Sequence, residues 1–414
     1  MKNNVSRRSF LKAGSLAGLW GIWGVNKLYS SPDSSADEPD LLRNSQINFG
    51  KSRRVPYRPV KPVFPAPDGY VTLLADLHMH TVFSDGLVWP TMRVSEAHRE
   101  GLDVIAITDH IEYTPYTKDV PFNLSRSYEL AAPAADRSKI LLIPGLEITR
   151  GRQNQTGDQA IKHINCLFLK DFNALNVPVM KEAVYAAAEQ GAFIFWNHPS
   201  WAQVDNKCVW YPEMDEFIKA GVLKGFEVVN GTLYEPDVIE WSQRHKTAML
   251  GCTDAHELIG YSYNFMEGEH RPMTLIFAKE RTLSGIRDAL ENKRTAVYAI
   301  VKRDGFWLDM LIGNEEWLKV IFDAGVRFKS IIEKPSDGVE TELEIENTLP
   351  LDVLLKTINR DKPDMAVVQE KIVVPARSKV KIRALARGLN SKIVFQIVNF
   401  QISKTRFLET EFIL

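Results

Sequence analysis

The chain reads as an α/β protein, a largely parallel sheet or barrel of βα units followed by a small all-β region. Three observations predict this. From Tyr70 onward, short apolar runs alternate with amphipathic runs rich in Ala, Glu and Lys, which is the pattern of strand–helix repeats. Gly101, Gly191 and Gly221 stand where amphipathic runs end, as glycines closing helices do. Beyond Phe328 the helical period gives way to two-residue alternation, broken by turns rich in Pro, Gly, Asn and Asp.

Composition sets the bounds. A length of 414 residues suggests two or three domains, and 45% hydrophobic residues supply a substantial core. The formal net charge of −1 gives nucleic acid and anionic membranes little electrostatic hold, so no nucleic-acid binding surface is expected. Three scattered cysteines (Cys166, Cys208, Cys252) make neither a disulfide framework nor a thiolate metal site.

Residues 1–30 are set apart from the fold. Ser6-Arg7-Arg8-Ser9-Phe10-Leu11-Lys12 resembles the twin-arginine export signal at each position of its S-R-R-x-F-L-K pattern. The apolar run Ala13–Val25 that follows is short of the ~20 residues a membrane span needs. A basic tail before a short anchor is the alternative, and no A-x-A site marks a cleavage point. The resemblance implies the twin-arginine export machinery as a partner, no stable membrane span after export, and a final location in the periplasm or cell exterior. Residues 31–69, rich in Ser, Asp, Pro and Arg, form a spacer or surface strap, because repeated prolines forbid helix and central strand.

The catalytic region is expected over 70–326. Seven strands are predicted: Val71–His78, Asp103–Thr108, Ile140–Ile148, Ile164–Leu169, Phe193–Asn197, Phe226–Val229 and Ala248–Thr253. Helices are expected over Pro90–Arg99, Leu124–Ala135, Val179–Gln190, Pro212–Ala220, Pro236–His245 and Leu283–Asn292. Six of the seven strands carry a possible metal ligand at or near one end. Strand one is followed by His78, His80 and Asp85, and strand two by Asp109-His110. Strand three runs into Glu147 and strand five into His198. Strand seven ends in Asp254-Ala255-His256. The C-terminal strand ends are where α/β barrels build their sites.

His163 stands instead at the start of strand four. Only the polar segment 151–162 separates that strand from strand three, and it has no helical pattern. Without a crossover helix, strand four is expected to return antiparallel, which would bring His163 near Glu147.

Any one of these histidines alone is more often a core or surface residue than a ligand. Nine N/O donors in barrel order, at strand ends and with no thiolate, point to metal: His78, His80, Asp85, His110, Glu147, His163, His198, Asp254 and His256. At about four ligands per ion, the set suits two or three divalent metals per chain, Mn, Zn or Fe. His98, His245 and His270 are read as surface residues. Asp76 and Asp109 are either second partners of the imidazoles or ordinary strand-end aspartates.

The ordered motifs H-x-H, D-G, T-D-H, G-L-E, H-I-N, N-H-P and D-A-H resemble the PHP family, named for polymerase and histidinol phosphatase, over roughly Tyr70 to Thr295. The resemblance implies a distorted (β/α)7 barrel with a trinuclear centre. It assigns His78, His80, Glu147 and Asp254 to one ion, and Glu147, His163 and His198 to a second. Asp85, His110 and His256 go to the third. The leader and the added C-terminal region look more like an exported branch that hydrolyses organophosphate diesters. The amidohydrolase pattern, with its bridging lysine, leaves Asp85, His110 and His256 without a place.

Such a centre takes a small anionic phosphoester substrate, with a water bridging two ions as the nucleophile. Asp254 and His256 are candidates to pass a proton to the leaving group, and Arg150, with Arg152 and Lys162, to contact phosphate. Trp196, Trp201, Trp210 and Tyr211 are either a wall for the leaving group or core. Phosphodiester hydrolysis is the favoured activity. The alternatives are a phosphomonoesterase acting on nucleotide or sugar phosphates, and a metal-stabilised exported binding protein led by its C-terminal part. Residues 327–414, without a histidine, are expected to form a small sandwich-like β domain.

Overall fold

The computed structural model describes residues 61–332, 335–358 and 364–414. The twin-arginine signal and residues 31–60 of the spacer lie outside the described residues. What remains of the spacer behaves as a strap. Phe64 is buried edge-on against Tyr298, 4.9 Å between centroids, and Lys61 Nζ pairs with Asp103 at 2.8 Å.

The expected βα units form with their ends shifted by up to three residues. In order they are β1 (Val71–Asp76), α1 (Pro90–Glu100), β2 (Val104–Ile107), α2 (Arg126–Ser138), β3 (Leu141–Arg150), β4 (Lys162–Leu167), α3 (Met180–Glu189) and β5 (Phe193–Trp196). There follow α4 (Pro212–Lys219), β6 (Leu223–Asn230), the two-residue β7 (Leu233–Tyr234), α5 (Pro236–His245) and β8 (Ala248–Cys252). Prolines open α1, α4 and α5, where a missing N–H costs nothing. Gly101 closes α1 at φ 79°.

Strands β1, β2 and β3 pair in parallel, as do β5, β6 and β8. Between them β4 runs antiparallel to both neighbours, with Glu147 opposite Asn165 and Thr149 opposite His163. The missing crossover helix has the expected consequence, and His163 arrives beside Glu147. Leu73, Ala75, Leu77, Val104, Ala106, Ile143, Phe193, Phe195 and Leu250 fill the interior of this curved sheet below the polar rim.

The seam between β8 and β1 is not a regular ladder. Met79 bridges Ala255 in parallel, Asp254 N–H donates to His78 O (2.9 Å), and His80 N–H donates to Ala255 O (3.0 Å). Lower down, β1 pairs antiparallel with β9 (Met273–Ala278), after the short α6 (Ile259–Ser262). Thr274 Oγ1 of β9 bonds both Gly251 N and Gly251 O at 3.0 Å, tying β8 to the intruding strand.

The sheet continues past β9. After α7 (Leu283–Glu291) come β10 (Thr295–Arg303) and β11 (Phe306–Gly313), a hairpin turning at Asp304-Gly305, both at positive φ. Then follow α8 (Glu315–Gly325), β12 (Val326–Ser330), β13 (Glu340–Asn347), β14 (Val353–Ile358), β15 (Lys371–Val374), β16 (Ser378–Leu385), β17 (Lys392–Gln401) and β18 (Phe407–Ile413). β11 pairs in parallel with β17, so one fifteen-stranded sheet runs from the catalytic ring into the C-terminal β-rich region. A three-stranded sheet, β12–β13–β16, shares a core with it through Leu343, Ile345, Ile382, Phe395 and Ile397.

Candidate metal centre

β1 stops at Asp76, two residues short of expectation, because its carboxylate is already committed. It accepts from Thr253 N–H (3.1 Å) and Thr253 Oγ1–H (2.7 Å) and pairs with Arg271 (3.0 Å). The chain beyond leaves the ladder and drives His78 and His80 into full burial. His78 Nδ1–H donates to Glu227 Oε1 (2.8 Å), which leaves its Nε2 facing Glu147 (3.0 Å), Asp254 (3.2 Å) and His80 Nε2 (3.1 Å). His80 Nε2 faces the same two carboxylates at 3.1 and 3.0 Å.

The loop that follows is pulled back on itself. Asp109 accepts from Thr81 N–H (2.6 Å), Thr81 Oγ1–H (2.7 Å) and Ser84 Oγ–H (2.8 Å), and so clamps the loop instead of entering the cluster. At Gly86 a Cβ would lie 2.6 Å from His80 C, so only glycine allows the close approach. The turn brings Asp85 within 3.2 Å of His256 Nε2 and 3.7 Å of His110 Nε2.

Glu147, fully buried on β3, is the hub. Its Oε1 lies 2.7 Å from His163 Nδ1 and accepts from Asn197 Nδ2 (2.9 Å), while His110 Nδ1 stands 3.3 Å from Oε2. His198 completes the set, 3.6 Å from Asp254 and 3.9 Å from Glu147. His198 (φ 27°) and Asp254 (φ 53°) both hold left-handed backbone, strain of about 1–3 kcal/mol each that persists only where surroundings enforce it. Such strain gathers at functional sites.

All nine nominated donors therefore meet at one end of the ring. Their ligand atoms fall into overlapping groups, each within 4.8 Å. His78, His80, Glu147 and Asp254 form one, matching the first set implied by resemblance. Asp85, His110 and His256 form another, with His80 added. The remaining donors are grouped differently from expectation: Glu147 and His163 join His110, whereas His198 joins His78 and Glu227.

Electrostatically the cluster is built to be filled. Burial works against charge on Glu147 and Asp254, yet the surrounding imidazoles hold both well below the usual carboxylate range. Burial likewise opposes a charged His78, but Asp254, Glu227 and Glu147 raise it well above its ordinary value, and His80 is raised to about 9. Asp85 is lowered to about 2 by His256, His80 and His110 against the effect of burial. Burial pushes His110 down to about 3 and His198 to about 4. Without an ion, protons on His78 and His80 occupy the place a cation would take. His163 Nε2 is buried with no hydrogen-bond partner, as a donor aimed at an ion is. This imidazole and carboxylate set fits divalent ions of the Mn, Fe and Zn kind.

Sequence reasoning missed Glu227. It sits mid-strand on β6, the one predicted ring strand left without a candidate, and is fully buried. Its Oε2 accepts from His198 N–H (3.1 Å) and Asn230 Nδ2 (2.9 Å). An acid inside the apolar run Phe226–Val229 was the available signal.

Three nominated cations do not enter the cluster. Arg150 and Lys162 are neighbours of inward-facing Thr149 and His163, so the pleat turns both to the other face. Arg150 donates to the carbonyls of Val177 (2.6 Å), Pro178 (3.1 Å) and Thr149 (3.1 Å) and pairs with Glu112. Lys162 pairs with Glu213 at 2.7 Å and lies over the Tyr211 ring. Arg152 is exposed. Of the nominated aromatics, Trp196, Trp210 and Tyr211 pack in the core, Trp196 stacked on Trp241. Trp201 alone stays half-exposed, its ring edge-on to His163 (5.0 Å) and His198 (5.5 Å). His245 stacks on Trp210, and His270 on Tyr298, both away from the nine.

The model of the PHP domain matches residues 76–203. Among solved structures, the chain is similar to a two-domain protein from Bacteroides vulgatus containing a predicted PHP-like metal-dependent phosphoesterase. The identity is 38%, over 86% of this chain and 99% of the other, with a TM-score of 0.78. Weaker likenesses are to a putative metal-dependent phosphoesterase from Bifidobacterium adolescentis and to an amidohydrolase from Chromobacterium violaceum with bound sulfate. The first has 18% identity, 44% and 87% coverage and a TM-score of 0.34; the second has 15%, 44%, 87% and 0.32. No curated protein matches the chain.

Proposed function

The chain belongs to the PHP family of metal-dependent phosphoesterases, and from that premise we propose that it hydrolyses phosphodiesters at the nine-residue cluster. The observation that carries this reading is where the neighbouring cations go. Arg150 and Lys162 are spent on carbonyls and on Glu112 and Glu213, which leaves neither for a second phosphate charge. A monoester arrives with two negative charges and benefits from such side chains; a diester arrives with one.

Three divalent ions set against Asp85, Glu147, Asp254 and Glu227 would leave a net charge of about +2, which attracts an anionic phosphoester. When bound, divalent ions polarise phosphoryl oxygens and make water acidic near neutral pH. The protein's part is to hold the donors. Glu147 orients His163 through Nδ1, and Glu227 keeps the His78 proton on Nδ1, away from the cluster. His256 has the most exposed side chain of the nine, but with Nδ1–H donating to Asp254 O at 2.8 Å and Nε2 among the ligand atoms, the proton for the leaving oxygen would have to come from water. The half-exposed rings of Trp201 and Tyr113, beside His163 and His110, offer faces to the organic arms.

The resemblance of Ser6–Lys12 to a twin-arginine signal supports placing this activity in the periplasm or cell exterior. No helix among the described residues is long and apolar enough to cross a membrane. Assaying bis(p-nitrophenyl) phosphate against p-nitrophenyl phosphate with Mn²⁺ or Zn²⁺ tests the proposal. A higher kcat/KM for the diester is expected; preference for the monoester would replace the reading with a phosphomonoesterase. Turnover abolished in a folded His78→Ala protein would set aside a purely binding role.

A further inference from the structure

Four of the nine donors stand on the two lips of the irregular seam, His78 and His80 on β1's side and Asp254 and His256 on β8's. Among the described residues, the backbone closes the seam at that height with one bridge and three hydrogen bonds, the third from Leu87 N–H to His256 O (2.7 Å). The seam is nonetheless held by a side chain from outside the ring. Arg93, on α1, is fully buried. Its Nε donates to His80 O (2.9 Å), its Nη2 to Ala255 O (2.7 Å), and its Nη1 to Glu257 O (2.7 Å) and Glu96 Oε2 (2.9 Å). The three carbonyls belong to His80 itself and to the residues on either side of His256. Glu96 is anchored in turn, its Oε1 accepting from Ile259 N–H at 2.8 Å.

Burying a guanidinium is costly, and packing α1 on the sheet would be served as well by an apolar side chain. What an apolar residue lacks is a planar fork that reaches both lips at once. A lysine offers a single ammonium and spans neither the width nor the directions. Arg271, the other fully buried arginine nearby, binds Asp76 and Glu100 side chains and no carbonyl on the lips.

We infer that Arg93 is a positioning residue for ion binding: it latches the seam and fixes the spacing of His80 against His256. Ion sites that straddle the seam depend on it, namely His78, His80, Glu147 with Asp254, and His80, Asp85, His110 with His256. Donors carried on β3 to β5, such as His163 and His198, do not. The inference rests on the cluster binding divalent ions, and not on which phosphoester is cut.

The test is titration of the metal-free full chain with Co²⁺, followed by visible absorption and calorimetry. Near-UV circular dichroism and thermal unfolding report the fold independently. Arg93→Lys is expected to keep the fold, bind Co²⁺ about 10- to 100-fold more weakly at the seam sites and change the absorption spectrum. Glu96→Gln, which loosens one tether of the same guanidinium, should weaken binding by less. If Arg93→Lys fails to fold, Glu96→Gln decides: weakened Co²⁺ binding supports the latch, and an unchanged isotherm overturns it. An unchanged isotherm and spectrum in folded Arg93→Lys overturns it directly. Wild-type protein that takes up no Co²⁺ would overturn the metal reading along with it.

Discussion

Replacing Glu227 by glutamine changes one atom in a place no water can repair. Three donors share its two oxygens: His78 Nδ1–H on Oε1, and His198 N–H with Asn230 Nδ2–H on Oε2. An amide supplies one acceptor and one donor. If its NH₂ takes the Oε2 position, two buried donors face a third, at about 1–3 kcal/mol for each unmade bond. If the NH₂ faces His78, the imidazole must accept on Nδ1 and carry its proton on Nε2, the nitrogen that looks at Glu147 and Asp254. The second arrangement is the cheaper for folding and blocks ligation directly. Metal affinity should therefore fall about 10- to 100-fold, or roughly 1.4–2.7 kcal/mol, and the metal-free protein should lose stability as well, because the charged His78 loses a carboxylate partner. Calorimetric titration of metal-free Glu227→Gln with Zn²⁺ or Mn²⁺, alongside thermal unfolding, reads both quantities. Affinity within twofold of wild type in a folded protein would refute the argument that Glu227 sets the His78 tautomer.

Other consequences follow from the same geometry. His80 is raised to about 9, so its imidazolium stabilises the metal-free protein fully below an unfolded pKa near 6.5, and that contribution is lost as pH rises through 9. The loss is on the order of 3 kcal/mol; a flat stability profile from pH 6 to 10 would contradict it. Ligation needs neutral rings, so metal uptake near pH 7 should release about two protons, from His78 and His80, measured calorimetrically in buffers of differing ionisation enthalpy. In Gly86→Ala the new methyl meets His80 and Thr81 backbone at 2.6 Å, so the Asp85 loop must shift. About 1–3 kcal/mol of stability should go, together with metal affinity, by melting and titration. Trp201→Ala should raise KM for bis(p-nitrophenyl) phosphate about 5- to 10-fold while metal affinity stays near wild type. An unchanged KM would remove Trp201 from the substrate site.

Much of the ring was legible because its signals are local. Apolar period, N-terminal prolines and closing glycines mark the helices to within three residues, and polar residues after apolar runs mark the strand ends. The antiparallel return of β4 was legible from a missing helix in 151–162. The β10–β11 hairpin carried its own Asp304-Gly305 turn signal and joins the sheet at nearby β9, whereas the pairing of β11 with β17 reaches some ninety residues along the chain. Arg150 misled because nearness in sequence to Glu147 says nothing of face; an offset of three in a strand points the other way. Glu227 was hidden because it lies mid-strand and not at a strand end, and Arg93 because an arginine on an amphipathic helix looks like a surface charge.

By itself the sequence determined which donors exist, their order around the ring and the kind of ion they suit, since those depend on residue type and strand position. Tertiary structure alone decided which donors share a site. That depends on how β8 closes on β1, where Thr253 meets Asp76 across 177 residues and Arg93 joins carbonyls from both lips. No local pattern encodes such contacts, because they are set by the width of the seam and not by the residues on either side of it.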